Sequence, residues 1–293
     1  MLTKEFILSK CDYFVDVQLW PIKSIINPEL WLSNFQEDEM EHATHLLNSF
    51  LYFSDVLVDT MFTTGFQMLS NIIRKKGDSL LAAKTTWSSF FDNIIITPVT
   101  GEDPNISDSG YSFVRRARQK LGIKESHLMG QEECIRTLID KGPRPVIFVD
   151  DFVGSGEQFI KTWERVISVN GTSVSYKALS SGHGGKFYYC PIICTEYGYN
   201  RIRNRCPNVI LSPVHILSQR YSALADDSIV WPDRLRKTAI GFLETVSRRA
   251  GIIEWQGFHK LGLAIAFKHG VPDATLPIFW WEENGWKPLV KRT

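Results

Sequence analysis

Pro145-Val146-Ile147-Phe148-Val149-Asp150-Asp151-Phe152-Val153-Gly154-Ser155-Gly156-Glu157-Gln158-Phe159 is the stretch on which the reading of this chain turns. Residues 146–149 are a continuous β-branched and aromatic run. Such a run, short and bounded by turn residues, predicts a strand buried on both faces of a parallel sheet. Asp150 and Asp151 follow at the strand's carboxyl end, and Gly154-Ser155-Gly156 makes a small turn. Beyond it Phe159, Ile160, Trp163, Val166 and Ile167 recur at helical spacing, so a helix is expected as far as residues 170–171. In an open α/β sheet, ligands bind outside the carboxyl ends of the strands. A glycine turn lets a phosphate approach the backbone, and the helix N-terminus behind it offers unpaired N–H groups and partial positive charge. Adjacent carboxylates in front of such an anion site suit ribose hydroxyls, or a hard cation such as magnesium. The plainer alternative is an ordinary strand whose acid pair begins a turn before a capped helix.

Working outward, residues 94–99 read as a strand and residues 100–110, rich in Gly, Pro, Asn, Asp and Ser, as a loop. A basic helix with Arg115, Arg116, Arg118 and Lys120 follows from near Tyr111, and a second runs from near Gln131 to Gly142. After the central stretch come a strand over 174–179, a Gly-Ser loop, a strand over 191–195, a short helix and a strand over 209–211. Strands alternating with helices predict βαβ units and a parallel sheet, hence an α/β fold. Residues 1–90 read instead as helical: around Phe6, Ile7, Cys11 and Phe14, from Pro28, over 37–53 as one amphipathic stripe, from Ser54-Asp55 towards Arg74, and again to Phe91. The expected division is a helical extension over 1–90 and an α/β domain over 91–293. The latter would end in a helix over 233–250, strands over 263–267 and 276–279, and a Trp-rich segment with Trp280, Trp281 and Trp286.

With 293 residues the chain is long enough for one large domain or two modest ones. A net charge of +1 announces neither a nucleic-acid partner nor an acidic substrate. The apolar run near the N-terminus is too short for a signal peptide, and none reaches the length of a membrane span. Five cysteines, an odd number without secreted-domain spacing, fit a reducing cytoplasm.

The central stretch resembles the phosphoribosyl-pyrophosphate motif of the phosphoribosyltransferases: four apolar residues, two acids, and a short loop ending Thr-Gly-x-Thr. Asp150 and Asp151 match the acid pair and Ser155-Gly156 the Thr-Gly; Gln158 stands where the last Thr would be. The resemblance implies a phosphoribosyltransferase-like parallel-sheet core and a donor such as phosphoribosyl pyrophosphate (PRPP) bound with Mg2+. Asp150 and Asp151 would be the catalytic acids on the ribose hydroxyls and the protein's side of the metal site. Gly154, Ser155, Gly156, Glu157 and Gln158 would bind the 5′-phosphate. In that family the loop after the first core strand holds pyrophosphate, which places Ser109, Gly110 and Arg115 there. A basic residue usually inside that loop is absent between Thr100 and Gly110, so the basic helix would substitute. The helical N-terminus, with Pro272-Asp273-Ala274-Thr275-Leu276-Pro277-Ile278-Phe279-Trp280, resembles the phosphoribosyltransferase-like effectors of bacterial conflict systems, some encoded beside retron reverse transcriptases. That implies a toxic antiphage effector, an oligomeric assembly, and a defence complex with a reverse transcriptase or its DNA (msDNA). Two other classes stay open: a non-catalytic nucleotide sensor or scaffold, and a nucleoside or nucleotide N-glycosidase using the same phosphate site.

The remaining candidates are weaker. His183 and Lys186, in the Gly-rich segment 180–186, have a place in a lid or nucleobase loop, although most such loops only connect. Cys190, Cys194 and Cys206 match no zinc spacing and are read as buried. His42 and His45 are read as surface residues. Arg201, Arg203, Arg205, Arg234, Arg236, Lys237, Arg248 and Arg249 are read first as solvated helix faces paired with acids, and second as contacts to a phosphate or nucleic acid. The terminal tryptophans are read as core or a subunit contact.

Overall fold

The computed structural model of the chain describes residues 2–101, 109–169, 171–182 and 185–292. In order the regular elements are α1 (Lys4–Asp16), α2 (Pro28–Leu32), α3 (Met40–Asn48), β1 (Leu51–Phe53), α4 (Asp55–Ile73), α5 (Leu80–Phe91), β2 (Ile95–Pro98), α6 (Ser109–Leu121), α7 (Gln131–Lys141), β3 (Val146–Val153), α8 (Glu157–Glu164), β4 (Ile167–Val169), β5 (Thr172–Val174), α9 (Tyr176–Gly182), β6 (Phe187–Thr195), α10 (Glu196–Arg205), β7 (Val209–Leu211), β8 (His215–Leu217), α11 (Asp233–Ala250) and β9 (Ile265–Phe267). They fall into two compact units, residues 1–57 with 217–293, and residues 58–216. The boundary expected at 90/91 lies inside the second unit.

The second unit is built on a sheet in the order β2-β3-β6-β7, every neighbouring pair parallel, with β8 also pairing β6. This is the parallel-sheet core expected from the sequence. β6 has all nine residues buried and β3 is buried along its apolar part, as strands covered on both faces must be. Pro98 sits in β2, an edge strand of that order, where a missing N–H leaves no neighbour unpaired. On one face Phe148, Phe159, Trp163, Tyr176, Phe187 and Tyr189 form a buried cluster beneath α7, α8, α9 and α10. On the other, Phe90 of α5 meets Tyr188, and Phe62 of α4 meets Phe113 of α6.

The first unit joins residues far apart in sequence. β1 pairs in parallel with β9, Leu51 opposite Ile265 and Phe53 opposite Phe267. Trp31 donates its indole N–H to the Ile278 carbonyl at 2.8 Å and stacks on Phe279, ring centres 5.2 Å apart. Trp286 and the half-buried Trp280 and Trp281 belong to this core.

Several expected elements differ. Residues 37–53 form not one helix but a 3-10 turn (Glu37–Glu39), α3 and then β1, because Leu51–Phe53 gains a strand partner in β9. Residues 174–179 are the end of β5 and the start of α9. Ser175 accepts from the Ala178 N–H at 3.2 Å and caps that helix, which overrides the strand propensity of the run. α8 stops at Glu164, and Ile167–Val169 pairs antiparallel with Thr172–Val174 instead of continuing the helix. Residues 277–279 are a 3-10 turn rather than a strand. His42 and His45 are half-buried, not surface residues. His42 stacks on Phe242 with ring centres 4.8 Å apart, and burial holds both imidazoles below their ordinary pKa.

Candidate functional site

β3 ends with its last residues projecting alternately to the two faces of the sheet. Asp150 shares the face of Phe148 and is 2% exposed; Asp151 is half-buried. The Asp150 carboxylate is fully engaged. Oδ1 accepts from Ser109 Oγ at 3.1 Å and from the Asp151 N–H at 3.0 Å, and Oδ2 accepts from the Tyr189 hydroxyl at 3.1 Å. Tyr189 is held by β6, beside β3, and its ring stacks on Phe159 with centres 4.0 Å apart. Burial, and then the neighbouring Asp151 carboxyl, hold Asp150 well above the usual carboxylate range. Burial and then Asp150 push the Tyr189 hydroxyl up in the same way. Asp151 Oδ1 accepts from Ser109 Oγ at 2.9 Å and from the Phe152 N–H at 2.8 Å. One serine hydroxyl, at the start of α6, therefore bridges both acids.

The turn after β3 has the geometry its glycines predict. Gly156 has φ +74°, in the left-handed region, and precedes the first residue of α8. A Cβ added there would lie 2.8 Å from Ile202 Cγ1 and 3.1 Å from the Gly198 carbonyl oxygen, so α10 lies directly against the turn. Ser155 is buried, and its Oγ accepts from the Glu157 N–H, the first of α8, at 3.3 Å. Thr195, the last residue of β6 and the N-cap of α10, clamps the same place: its hydroxyl donates to the Gly154 carbonyl and accepts from the Gly198 N–H at 3.0 Å. Gln158 is exposed on α8.

Of the residues placed by resemblance at the pyrophosphate loop, Ser109 lies on the acid pair. Gly110 is where α6 meets β2; a Cβ there would fall 2.4 Å from the Val99 carbonyl oxygen. Arg115 is exposed on α6. Residues 102–108 lie outside the described residues, as does His183. The rest of the basic helix is occupied: Arg116 and Lys120 pair with Asp59 at 2.9 and 2.6 Å, and Arg118 with Glu125 at 2.7 Å. Burial raises the Asp59 carboxyl, but those two cations outweigh it and hold the group below its ordinary value.

Sequence reasoning missed the anchor at the root of that loop. Arg165, just past α8, donates to Thr100 Oγ1 at 2.8 Å, to Gln131 Oε1 at 3.1 Å and to the Gly101 carbonyl. Thr162 donates to the Thr100 carbonyl at 3.1 Å, and Gln131 Nε2 to Thr100 Oγ1 at 2.9 Å. The one sequence signal was position: Thr162 falls on the helix that the phosphate turn begins, and Arg165 just past its end.

Other candidates resolve more simply. All five cysteines are buried and free, and burial pushes the Cys134 and Cys190 thiols up to about 12, far from a reactive thiolate. Among the described residues no three or more His, Cys, Asp or Glu side chains gather as a metal cage. Arg205, Arg234, Arg236, Arg248 and Arg249 pair with acids. The 272–280 segment is core: Thr275 donates to the Ile265 carbonyl at 2.7 Å, and Phe279 is buried. No described helix is long and apolar enough to cross a membrane.

A parallel sheet with an acid pair at one strand's carboxyl end, and a glycine turn opening the next helix, defines a phosphoribosyltransferase-like α/β protein. A family model described as PRTase-CE matches residues 28–292, and the chain belongs to that family. Among solved structures it is similar to an orotate phosphoribosyltransferase from Aeropyrum pernix at 15% identity, over 47% of this chain and 74% of that one. The TM-score is 0.25, too low to bear on fold or function. No curated protein matches the chain.

Proposed function

We propose that the chain is a phosphoribosyltransferase-like enzyme that binds a ribose 5-phosphate donor, PRPP, with magnesium. The observation that carries this is the convergence of Asp150, Asp151 and Ser109 at the end of β3, immediately before the Gly154–Gln158 turn. Asp151, the more accessible acid, takes a ribose hydroxyl in place of the Ser109 hydroxyl. Asp150, held between Tyr189, Ser109 and its own neighbour's N–H, fixes the direction of that carboxylate. Backbone N–H groups of the turn and the start of α8 receive the 5′-phosphate. Negative charge at the pair steadies the positive charge that develops at the anomeric carbon as pyrophosphate leaves. The donor set, two carboxylates and hydroxyl oxygens, suits a hard cation that completes its shell from the ligand and water. Magnesium, when bound, would neutralise charge on the departing pyrophosphate. The biological reading we attach is that of a cytoplasmic toxic effector in a bacterial antiphage or retron system, working in an oligomer or complex with a reverse transcriptase and msDNA.

A second reading, a nucleotide sensor without turnover, draws support from the buried, fully engaged Asp150 and from Gln158 in place of a hydroxyl. Calorimetric titration of PRPP with magnesium into the wild type and Asp151→Asn tests the first. Binding lost in the variant, with pyrophosphate released in the wild type once an acceptor is supplied, is the expected result. Binding without release under any acceptor favours the sensor, and release of a free base from a nucleotide without PRPP favours the glycosidase. Equal binding by both proteins removes the acid pair from the site.

A further inference from the structure

The three arginines of α10 have different surroundings. Arg205 pairs with Glu164 at 3.2 Å, and Arg203 lies over the Tyr199 ring, 5.7 Å from its centre. Arg201 turns to the phosphate turn. Its Nη1 donates to the Ser155 carbonyl at 2.9 Å, and its guanidinium stands 5.5 Å from the centre of the Tyr197 ring. It is half-buried and has no acidic partner among the described residues. The one acid inside the turn, Glu157, is already matched by Lys161 at 3.0 Å. The turn therefore has against it one guanidinium that is met by a carbonyl and a ring but by no carboxylate. Desolvating a cation without a counter-charge is unfavourable. Holding one beside an anion-shaped turn makes physical sense when an anion arrives. The sequence around it has also lost the hydroxyl that the resemblance would put at Gln158, and the exposed Gln158 amide brings no charge.

We infer that Arg201 is a positioning residue for the 5′-phosphate: it holds the turn through Ser155 and makes the site select a phosphorylated sugar over its unphosphorylated counterpart. This rests on the donor site proposed above and adds to it a specificity determinant outside the motif. Arg201 acts through the loop and through its charge, because its hydrogen bond goes to the loop's own carbonyl. The packing of α10 on the turn makes that action direct. Gly156 leaves no room between the turn and Ile202, and Thr195 ties the helix start to Gly154.

The test uses the full chain and ribose 5-phosphate as probe, with ribose as the control, on the wild type, Arg201→Gln and Arg201→Lys. Removing a charged contact of this kind weakens binding about five- to twenty-fold. That loss is expected for ribose 5-phosphate with Arg201→Gln, while ribose moves less than about two-fold and Arg201→Lys recovers much of the affinity. A second readout separates charge from scaffold. A neighbouring cation lowers the second pKa of bound phosphate from its ordinary value of about 6, and a 31P shift titration of bound ribose 5-phosphate should show that pKa rising in Arg201→Gln. Unchanged affinity and unchanged phosphate pKa in a folded Arg201→Gln overturn the inference and leave the donor site standing. Equal losses for both sugars, with no change in phosphate pKa, reduce Arg201 to scaffold. If Arg201→Gln does not fold, the same 31P comparison on Arg201→Lys, whose ammonium cannot reproduce the fork geometry, decides between charge and scaffold. A wild type that binds neither ribose 5-phosphate nor PRPP overturns the donor site itself.

Discussion

Replacing Gly156 by alanine perturbs the one place where the phosphate turn, α8 and α10 meet. Two costs add there. Gly156 has φ +74°, and an alanine in that region costs about 1 kcal/mol relative to glycine. The new methyl would also sit 2.8 Å from Ile202 Cγ1 and 3.1 Å from the Gly198 oxygen. Ile202 is fully buried, so it has little room to yield, and overpacking of that kind costs about 1–3 kcal/mol. The sum is about 2–4 kcal/mol, a large share of the roughly 5–15 kcal/mol typical of a domain. Gly171→Ala supplies the control. Gly171 has φ +77° but nothing within 4 Å of an added Cβ, so it should lose only the backbone part, about 1 kcal/mol. Urea unfolding of both variants, with m-values compared to the wild type, reads the difference. Because the methyl pushes α10 off the turn, Gly156→Ala should also lose PRPP affinity while Gly171→Ala keeps it. Equal destabilisation by the two substitutions would refute the argument, since the close approach to Ile202 would then contribute nothing.

Two more outcomes are expected at the site. Asp150 has a folded pKa well above the ordinary carboxylate value of 3.8, so the stability it contributes is fully present below that unfolded value and is lost as pH rises through the folded one. Asp150→Asn should therefore flatten the fall in urea midpoint on going from acid towards neutral pH, and an unchanged profile would show that the carboxyl is charged in the folded protein. Arg165→Met removes donors to Thr100, Gln131 and Gly101; with those partners partly buried the loss should be about 1–3 kcal/mol. Hydrogen exchange at the amides of residues 99–101 should accelerate, and protection equal to wild type would mean that the loop root is held without Arg165.

The central strand was legible because a strand covered on both faces has to be continuously apolar, and residues 146–149 are. The acid pair and turn were legible because their chemistry is local: a carboxylate after a strand and a glycine before a helix keep their meaning in any topology. Ser109 was placed by resemblance in the pyrophosphate loop, not on the acid pair: forty-odd residues separate it from Asp150, and the β2–β3 pairing brings them together. Tyr189, Thr195, Arg201 and Arg165 carried no motif of their own. Their roles exist because β6 lies beside β3, so that the helix after β6 touches the turn after β3. β1 was hidden for a related reason. Three residues within a helical pattern become a strand only when Ile265–Phe267 offers them an edge.

That last pairing sets an order of events during synthesis. The strands of the parallel sheet, β2 to β8, lie in one continuous segment and need no partner strand from later in the chain. The first 57 residues do: β1 waits for β9, Trp31 for the Ile278 carbonyl, and the Asn27 N–H for the Leu289 carbonyl, which accepts from it at 3.1 Å. At the usual elongation rate of about 5–20 residues per second, the roughly 210 residues between β1 and β9 take roughly 10–40 s. For that interval the nascent chain carries an unsatisfied Trp- and Phe-rich segment ahead of an α/β segment whose strands are all available to pair. A translation product stopped short of β9 would leave that segment without its partner strand, open to chaperones and proteases.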